Sequence, residues 1–231
     1  METNTHHFGT VAPAQTAEPH RVLRNTYALL GLSMVPTTIG AIIGTQFLAP
    51  LLFSIGIGVS AIAFLVIAFA FMWAVQKNRD SGLGVVLLLA FTFFMGAWLG
   101  PLLSVALQFR NGGTLIALAA GGTGAIFFTL AGIAATTKRD FSNMGKFLMV
   151  GLVLIVVASL ANIFFQIPAL SLAISGVAVL LFSGFILYDI NRIVHGGETS
   201  YVSATLAVYL NIYNLFTSLL QLLMAFAGDR D

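Results

Sequence analysis

Seven long apolar runs, each close to the length that crosses a lipid bilayer, constrain this chain more than any other feature. A helix needs about 20 mostly apolar residues to cross the hydrocarbon core. Runs of this kind occur at Asn25–Gly44, Leu51–Val75, Gly82–Leu107, Thr114–Thr136, Phe147–Phe165, Pro168–Ile190 and Ser203–Ala227. The sequence therefore predicts an all-α integral membrane fold with seven transmembrane helices, numbered here as the first to the seventh predicted span.

The composition supports this interpretation and excludes several other classes of protein. Hydrophobic residues make up 58% of the 231 residues and charged residues 8%, and the mean hydropathy is +0.98. A soluble domain has an apolar share of about 45–50%. The net charge of +2 is too small to attract nucleic acid. The absence of cysteine excludes disulfides, thiolate metal sites and a cysteine nucleophile.

The amino-terminal segment differs from the rest of the chain. Met1–Arg24 is polar, contains two prolines and has no apolar run. A cleavable signal would need its own apolar core, so we expect a flexible cytoplasmic tail. The predicted domains are this tail, residues 1–24, and one transmembrane domain, residues 25–231.

The positions of lysine and arginine predict the orientation, because basic residues are retained on the cytoplasmic side. With the amino terminus inside, eight of the ten basic residues fall inside: Arg21, Arg24, Lys77, Arg79, Lys138, Arg139, Lys146 and Arg192. Arg110 and Arg230 fall outside. The inside links are then Gln76–Ser81, Thr137–Lys146 and Asn191–Val202, and the outside links include Thr45–Pro50 and Gln166–Ile167. An odd number of spans places Asp229–Asp231 outside.

Short links and small residues predict how the helices pack. Because the links are short, we expect helices adjacent in sequence to pack as neighbours. Small residues spaced by four allow close approach of helix backbones. Four such pairs are Gly40 with Gly44, Ser54 with Gly58, Gly96 with Gly100, and Gly121 with Ala125.

Polar residues inside the spans mark candidate sites, since they are costly in a membrane. Asp189 is the only carboxylate within a predicted span; it either pairs with Arg192 one turn on or belongs to a functional pocket. On the seventh span, the polar side chains fall within an arc of about 80°: Asn211, Asn214, Ser218 and Gln221. This stripe avoids lipid if the seventh span lies inside the bundle. The stripe serves either as hydrogen-bonding glue between helices or as a pocket wall, and the two uses are compatible.

Spacing along the last two spans connects these residues. Ser200 is the midpoint between Asp189 and Asn211, so an antiparallel hairpin places both at similar depth. We expect a hydrogen bond between them, because the amide can donate to an ionised carboxylate or accept from a protonated one. Tyr188, Tyr209 and Tyr213 are expected close by. Asp189, Asn211 and Arg192 therefore form a candidate pH-sensing site.

Enzymatic activity is not predicted. An intramembrane aspartyl protease needs two facing carboxylates, and only Asp189 is available. A serine protease needs a base near its nucleophile, but all four histidines lie in the tail or a link: His6, His7, His20 and His195. No catalytic residue, metal site or cofactor is expected.

Several stretches of the sequence resemble a known family. They are Val22-Leu23-Arg24-Asn25-Thr26-Tyr27, Leu99-Gly100-Pro101, Thr137-Lys138-Arg139-Asp140-Phe141-Ser142, Ala161-Asn162-Ile163-Phe164 with Pro168-Ala169-Leu170, Ile193-Val194-His195-Gly196-Gly197-Glu198-Thr199, and Tyr213-Asn214-Leu215-Phe216. Together these resemble the Bax-inhibitor superfamily, most closely its bacterial YccA-like branch. The resemblance implies six helices around a central seventh and a bacterial plasma membrane.

The resemblance implies two alternative functions. YccA-like proteins are associated with the membrane ATP-dependent protease FtsH, whose action on membrane substrates they restrain. Other members are described as pH-sensitive calcium leaks in which two aspartates on the last two helices share protons. The first aspartate matches Asp189, but the second position, in Val208-Tyr209-Leu210-Asn211, is an amide. Because calcium usually needs more than one carboxylate ligand, we rank protease modulation above a calcium leak gated near Asp189.

Overall fold

A computed structural model of the protein describes residues 14–137, 139, 141 and 143–228. The helices are α1 (Ala14–Ile43), a π-helical segment (Gly44–Leu48), α2 (Ala49–Ile55), α3 (Ile57–Lys77), α4 (Gly82–Ala106), α5 (Gly112–Thr136), α6 (Met144–Phe165), α7 (Pro168–Val194) and α8 (Tyr201–Gly228). Seven segments are long and apolar enough to cross a membrane, and the first runs without a break from His20 to Ile55. The predicted all-α fold with seven spans is confirmed; α7 and α8 are the sixth and seventh spans.

The structure differs from the predicted tail. Because α1 begins at Ala14, residues 14–24 are helical. Residues 1–13 of the predicted tail, and Asp229–Asp231 at the other terminus, lie outside the described residues. The tail was predicted from its polarity, which indicates contact with water but leaves the backbone conformation open.

The first turn between spans also lies elsewhere than predicted. Residues 45–50, expected as a link, are helical, and the chain breaks at Gly56, where φ is 87° and ψ is 154°. Glycine adopts this backbone conformation without the steric cost of a side chain. Pro50 does not end the helix, because it directly follows the π-helical segment, and local π-helical geometry allows a membrane helix to accommodate proline. The second span therefore begins at Ile57 and not at Leu51.

Helix α8 lies at the centre of the bundle. It packs against α1, α3, α4, α5 and α7, whereas α6 packs against α7 and has no buried residue. The predicted central position of the last helix is confirmed, with α6 as the most peripheral helix. The largest interface joins α1 to α4, which are not adjacent in sequence, so the expectation that sequence neighbours pack together is incomplete.

Glycines explain the close contact between α1 and α4. A methyl group built on Gly96 would overlap the carbonyl oxygen of Thr37, and one built on Gly44 would overlap the carbonyl oxygen of Ala97. The pairs Gly40 with Gly44 and Gly96 with Gly100 thus pack as predicted. The other two predicted pairs do not, since Gly58 and Gly121 have no atom within 4 Å of such a group. Small-residue spacing permits close approach but does not specify which faces use it.

Three links and the beginning of α1 lie at one end of the bundle. The hydroxyl of Ser200 donates to the carbonyl oxygen of Arg79 over 3.2 Å, which joins the links 195–200 and 78–81. The side chain of Asn191 joins the link 137–143 to the end of α7. Thr205 near the start of α8 lies 3.4 Å from the carbonyl oxygen of Thr26 on α1. We call this end the polar-link face.

Candidate functional site

A hydrogen bond between α7 and α8 forms the centre of the candidate site. The Asn211 side-chain N–H donates to the Asp189 carboxylate (Nδ2 to Oδ2) over 2.7 Å. Asn211 is buried and Asp189 is half-buried. The two residues therefore meet across the antiparallel hairpin, as their equal distance from Ser200 predicted.

The predicted pair between Asp189 and Arg192 does not form. The Arg192 guanidinium donates to the Glu198 carboxylate over 3.2 Å and to the carbonyl oxygen of Gly197 over 3.0 Å. Glu198 also accepts hydrogen bonds from the backbone N–H groups of Thr199 and Ser200. These backbone contacts fix the carboxylate in the turn, where Arg192 reaches it, while Asp189 turns toward α8. Arg192 thus closes the α7–α8 turn and does not pair with Asp189.

The three tyrosines expected near Asp189 contact other parts of the bundle, and the rings of Tyr209 and Tyr213, one turn apart on α8, lie 6.3 Å from each other. The Tyr188 ring packs beside Gly145 of α6. The Tyr209 hydroxyl bonds the Thr37 hydroxyl of α1 over 2.9 Å and donates to the carbonyl oxygen of Thr92 of α4 over 3.3 Å. Tyr213 lines a cavity between α3, α4 and α8. Successive helical positions are rotated by about 100°, so residues close in sequence to the pair face other helices.

The polar stripe of α8 is divided between two roles. Asn214 donates to the carbonyl oxygen of Leu210, and Ser218 donates to the carbonyl oxygen of Asn214, so both bond within their own helix. The Gln221 side-chain oxygen accepts from the Ser175 hydroxyl of α7 over 2.9 Å. Gln221 is nevertheless exposed, in contrast to the buried position expected for it. Asn211 and Gln221 are thus the stripe residues that join α8 to α7.

Asn191 was not predicted as a site residue, because it was assigned to the link after the sixth span. Asn191 lies within α7 and is 2% exposed. Its side-chain oxygen accepts from the Phe141 N–H over 3.2 Å, and its amide donates to the carbonyl oxygen of Arg139 over 3.1 Å. An asparagine at a span end is common in exposed loops, so the sequence carries no signal that separates this residue from them.

The carboxylates of the site do not form a metal centre. Throughout the part of the chain that the structure describes, no three histidine, aspartate or glutamate side chains come together to hold a metal ion. Asp189 has one amide partner, and Glu198 is bonded to Arg192 and the turn backbone. This arrangement joins α7 to α8 through the hydrogen bond between Asn211 and Asp189, in which the carboxyl group is ionisable.

Comparison with known proteins identifies the family of this bundle. The family model for the inhibitor of apoptosis-promoting Bax1 matches residues 19–228. The chain belongs to the Bax inhibitor family. Among its relatives in that family, the Escherichia coli K12 protein named modulator of FtsH protease YccA is 42% identical over 204 residues, which cover 88% of this chain and 90% of that protein.

Other bacterial relatives of this Bax inhibitor family protein match over similar lengths. A Vibrio cholerae membrane protein is 43% identical over 90% of this chain and 91% of its own length. A Neisseria meningitidis serogroup A protein is 39% identical over 94% of this chain and 96% of its own length. The predicted resemblance to the YccA-like branch is thereby confirmed.

Proposed function

We propose that this protein binds an FtsH-type membrane protease in the bacterial inner membrane and restrains its action on membrane substrates. The similarity to the E. coli protein named modulator of FtsH protease YccA carries the proposal, because it extends over 88% of this chain and 90% of the relative. Similarity of that extent includes the whole bundle and not one helix or motif. A second E. coli relative of the same identity is named inner membrane protein YccA, which supports the location.

The surface that would meet the protease is the polar-link face. Seven exposed basic residues lie at or near this face: Arg21, Arg24, Lys77, Arg79, Arg139, Lys146 and Arg192. Basic residues of this kind stay on the cytoplasmic side, where an ATP-dependent protease works. In this proposal the segment that the protease grips is residues 1–13, which precede α1 in the sequence. In this proposal the protein has no chemistry of its own.

The test is degradation of a membrane substrate by reconstituted FtsH. The protease and the full chain are placed together in proteoliposomes, and the rate of substrate loss is compared with that of protease alone. We expect slower loss of a membrane substrate and unchanged loss of a soluble substrate. Deletion of residues 1–13, which spares α1, should abolish the effect, and Asp189→Asn should retain it. An unchanged rate with the full chain, although both proteins are present, contradicts the proposal.

The half-buried Asp189 supports a second candidate, a pH-sensitive calcium leak. Within the described residues its carboxylate forms a hydrogen bond to Asn211 and no ion pair. A membrane carboxylate of this kind is a typical element of ion pathways. The test is calcium flux into liposomes at about pH 6 and about pH 8, which bracket the range in which a shifted carboxyl titrates. Flux that depends on pH and is altered by Asp189→Asn supports the leak, and flux no greater than in empty liposomes rejects it.

A further inference from the structure

A cavity of about 350 Å³ lies between α3, α4 and α8, apart from the Asp189 site. Aromatic side chains form much of its wall, including Phe64 and Phe69 of α3 and Trp98 of α4. Helix α8 supplies its polar part, which consists of Tyr213, Asn214, Thr217 and Gln221. A mostly apolar cavity with a few polar groups brought together is the usual form of a small-molecule site, and this volume is near the lower end of the range.

The polar groups of the cavity suit an uncharged ligand. No charged side chain is among the described residues that line it, so burying an ion there would be costly. The Gln221 oxygen accepts from Ser175, while its N–H groups have no partner within the described part of the chain. The Asn214 amide nitrogen bonds to its own helix, and its oxygen is likewise unpaired among those residues. The cavity thus offers both donors and acceptors to neutral polar groups.

The cavity opens toward the lipid. Phe69 is 63% exposed and Gln221 is exposed, and both lie on helices that cross the membrane. Amide groups that face hydrocarbon without partners are unfavourable, and a polar ligand group would satisfy them. The ligand that suits this cavity therefore comes from the bilayer. It has an apolar chain and a small polar end.

From these three observations we propose that the cavity binds one uncharged, single-chain amphipathic molecule from the bilayer. Its chain lies against the aromatic wall formed with Trp98. Separate polar groups bond the two amides, with a hydroxyl donating to the Asn214 oxygen and a carbonyl accepting from a Gln221 N–H. A monoacylglycerol has this chemistry. The cavity lacks the charge to hold the phosphate group of a phospholipid. The proposal does not depend on protease modulation, since it concerns a different part of the bundle.

Fluorescence quenching tests the site directly, because the chain has two tryptophans and one of them lines the cavity. In the Trp73→Phe variant, Trp98 is the single reporter. We expect a dibrominated monoacylglycerol in phosphatidylcholine nanodiscs to quench Trp98 saturably, and more than dibrominated phosphatidylcholine does at equal bromine content. The matched control is Trp98→Phe, which leaves Trp73, a residue 65% exposed outside the cavity; its quenching should rise without saturation. Equal quenching of Trp98 by both lipids overturns the proposal.

Two variants in the Trp73→Phe background test the recognition of the polar group. Asn214→Leu with Gln221→Leu should weaken the saturable phase about three- to tenfold, as expected for loss of one or two neutral hydrogen bonds. Gln108→Leu, in the exposed link after α4, should leave it unchanged. If the double variant does not fold, Leu65→Phe at the cavity wall, where the side chain is 43% exposed, should abolish saturation by filling the space. Saturable binding that neither change weakens overturns the proposal.

Discussion

Asp189 is held by a single amide on the neighbouring helix, and that bond is the feature of the site most open to measurement. Asn211→Ala removes the donor and leaves a half-buried carboxylate without its partner. A hydrogen bond to a charged group contributes about 1.5–3 kcal/mol, so we expect the free energy of unfolding to fall by about that amount. Unfolding of the purified protein in detergent measures it. The matched control is Asn214→Ala, whose amide bonds its own helix; an equal loss in both variants would contradict the assignment.

Asn211→Asp restores the second acidic position that the family resemblance implies. Two ionised carboxylates at hydrogen-bonding distance repel each other, and a shared proton removes that repulsion. We expect the melting temperature of this variant to rise from about pH 8 to about pH 6, and to rise more than that of the unchanged protein. Thermal unfolding at both pH values provides the test. Parallel pH dependence in the two proteins would mean that the carboxylates do not interact.

Substitution of Asn191 is expected to have a different effect, which is confined to the link between α5 and α6. Asn191→Ala removes both bonds that hold this link to α7. We expect trypsin to cleave after Arg139 several-fold faster in inside-out membrane vesicles, because local opening exposes the backbone. Asn162→Ala is the control, since its side chain bonds Ser171 and Ile167 at the other end of α6. Faster cleavage in the control as well would indicate general loosening.

At the scale of residues, depth was predictable and rotation was not. Equal spacing from the turn was enough to bring Asp189 and Asn211 together, because an antiparallel hairpin fixes the level of each residue. The directions of Tyr188, Tyr209 and Arg192 depend on how each helix is rotated against its neighbours and on where the turn places Glu198. Neither quantity is contained in the spacing of the sequence.

At the scale of helices, the contact between α1 and α4 depends on glycines that another residue cannot replace. Gly96→Ala places a methyl group against the backbone of α1, so the two helices must separate. Overpacking of this kind costs about 1–3 kcal/mol, and we expect a loss of at least that size in detergent unfolding. Gly121→Ala is the matched control, because it lies on a transmembrane helix and faces open space. A similar loss of stability in both variants would show that the contact between α1 and α4 is not its cause.

Hydropathy located all seven spans but misplaced the first turn. The apolar signal continues from α1 through the π-helical segment into α2, where the link Thr45–Pro50 was predicted. The chain instead turns at Gly56, whose positive φ marks the break. Gly56 lies in an apolar stretch, as do many glycines within helices. The sequence alone therefore did not identify it as the turn.

At the scale of the whole molecule, the orientation is predicted from the basic residues. Single cysteines can test it, since the chain has none. Ser81→Cys and Thr199→Cys lie in links at the polar-link face, and Gln108→Cys lies in a link at the other end. We expect a membrane-impermeant maleimide to label the Gln108 variant in intact spheroplasts. The other two should react only after permeabilisation. The reverse pattern would invert the bundle and contradict the cytoplasmic assignment of the polar-link face.

The number of membrane spans and the central position of α8 were predictable from the sequence. The helix that packs against α1 was not. A polar stripe is disfavoured in lipid, which is why it indicates an interior helix. The pairing of α1 with α4 depends on complementary glycine faces that are more than fifty residues apart in the chain. Two other pairs of small residues had the same spacing and face open space, so spacing alone could not select the interface.

The α1–α4 contact also determines how the bundle responds to mechanical force. A machine that pulled on the amino terminus would load α1 along its axis, and α1 is held by close backbone contact with α4 along several turns. The two helices run in the same direction, as the order of their contacts shows: Gly40 lies beside Phe93, and Gly44 beside Gly100. Axial pulling therefore shears the whole contact at once instead of opening it turn by turn. A processive protease that grips this end meets a rigid, interlocked pair of helices as the first obstacle to extraction.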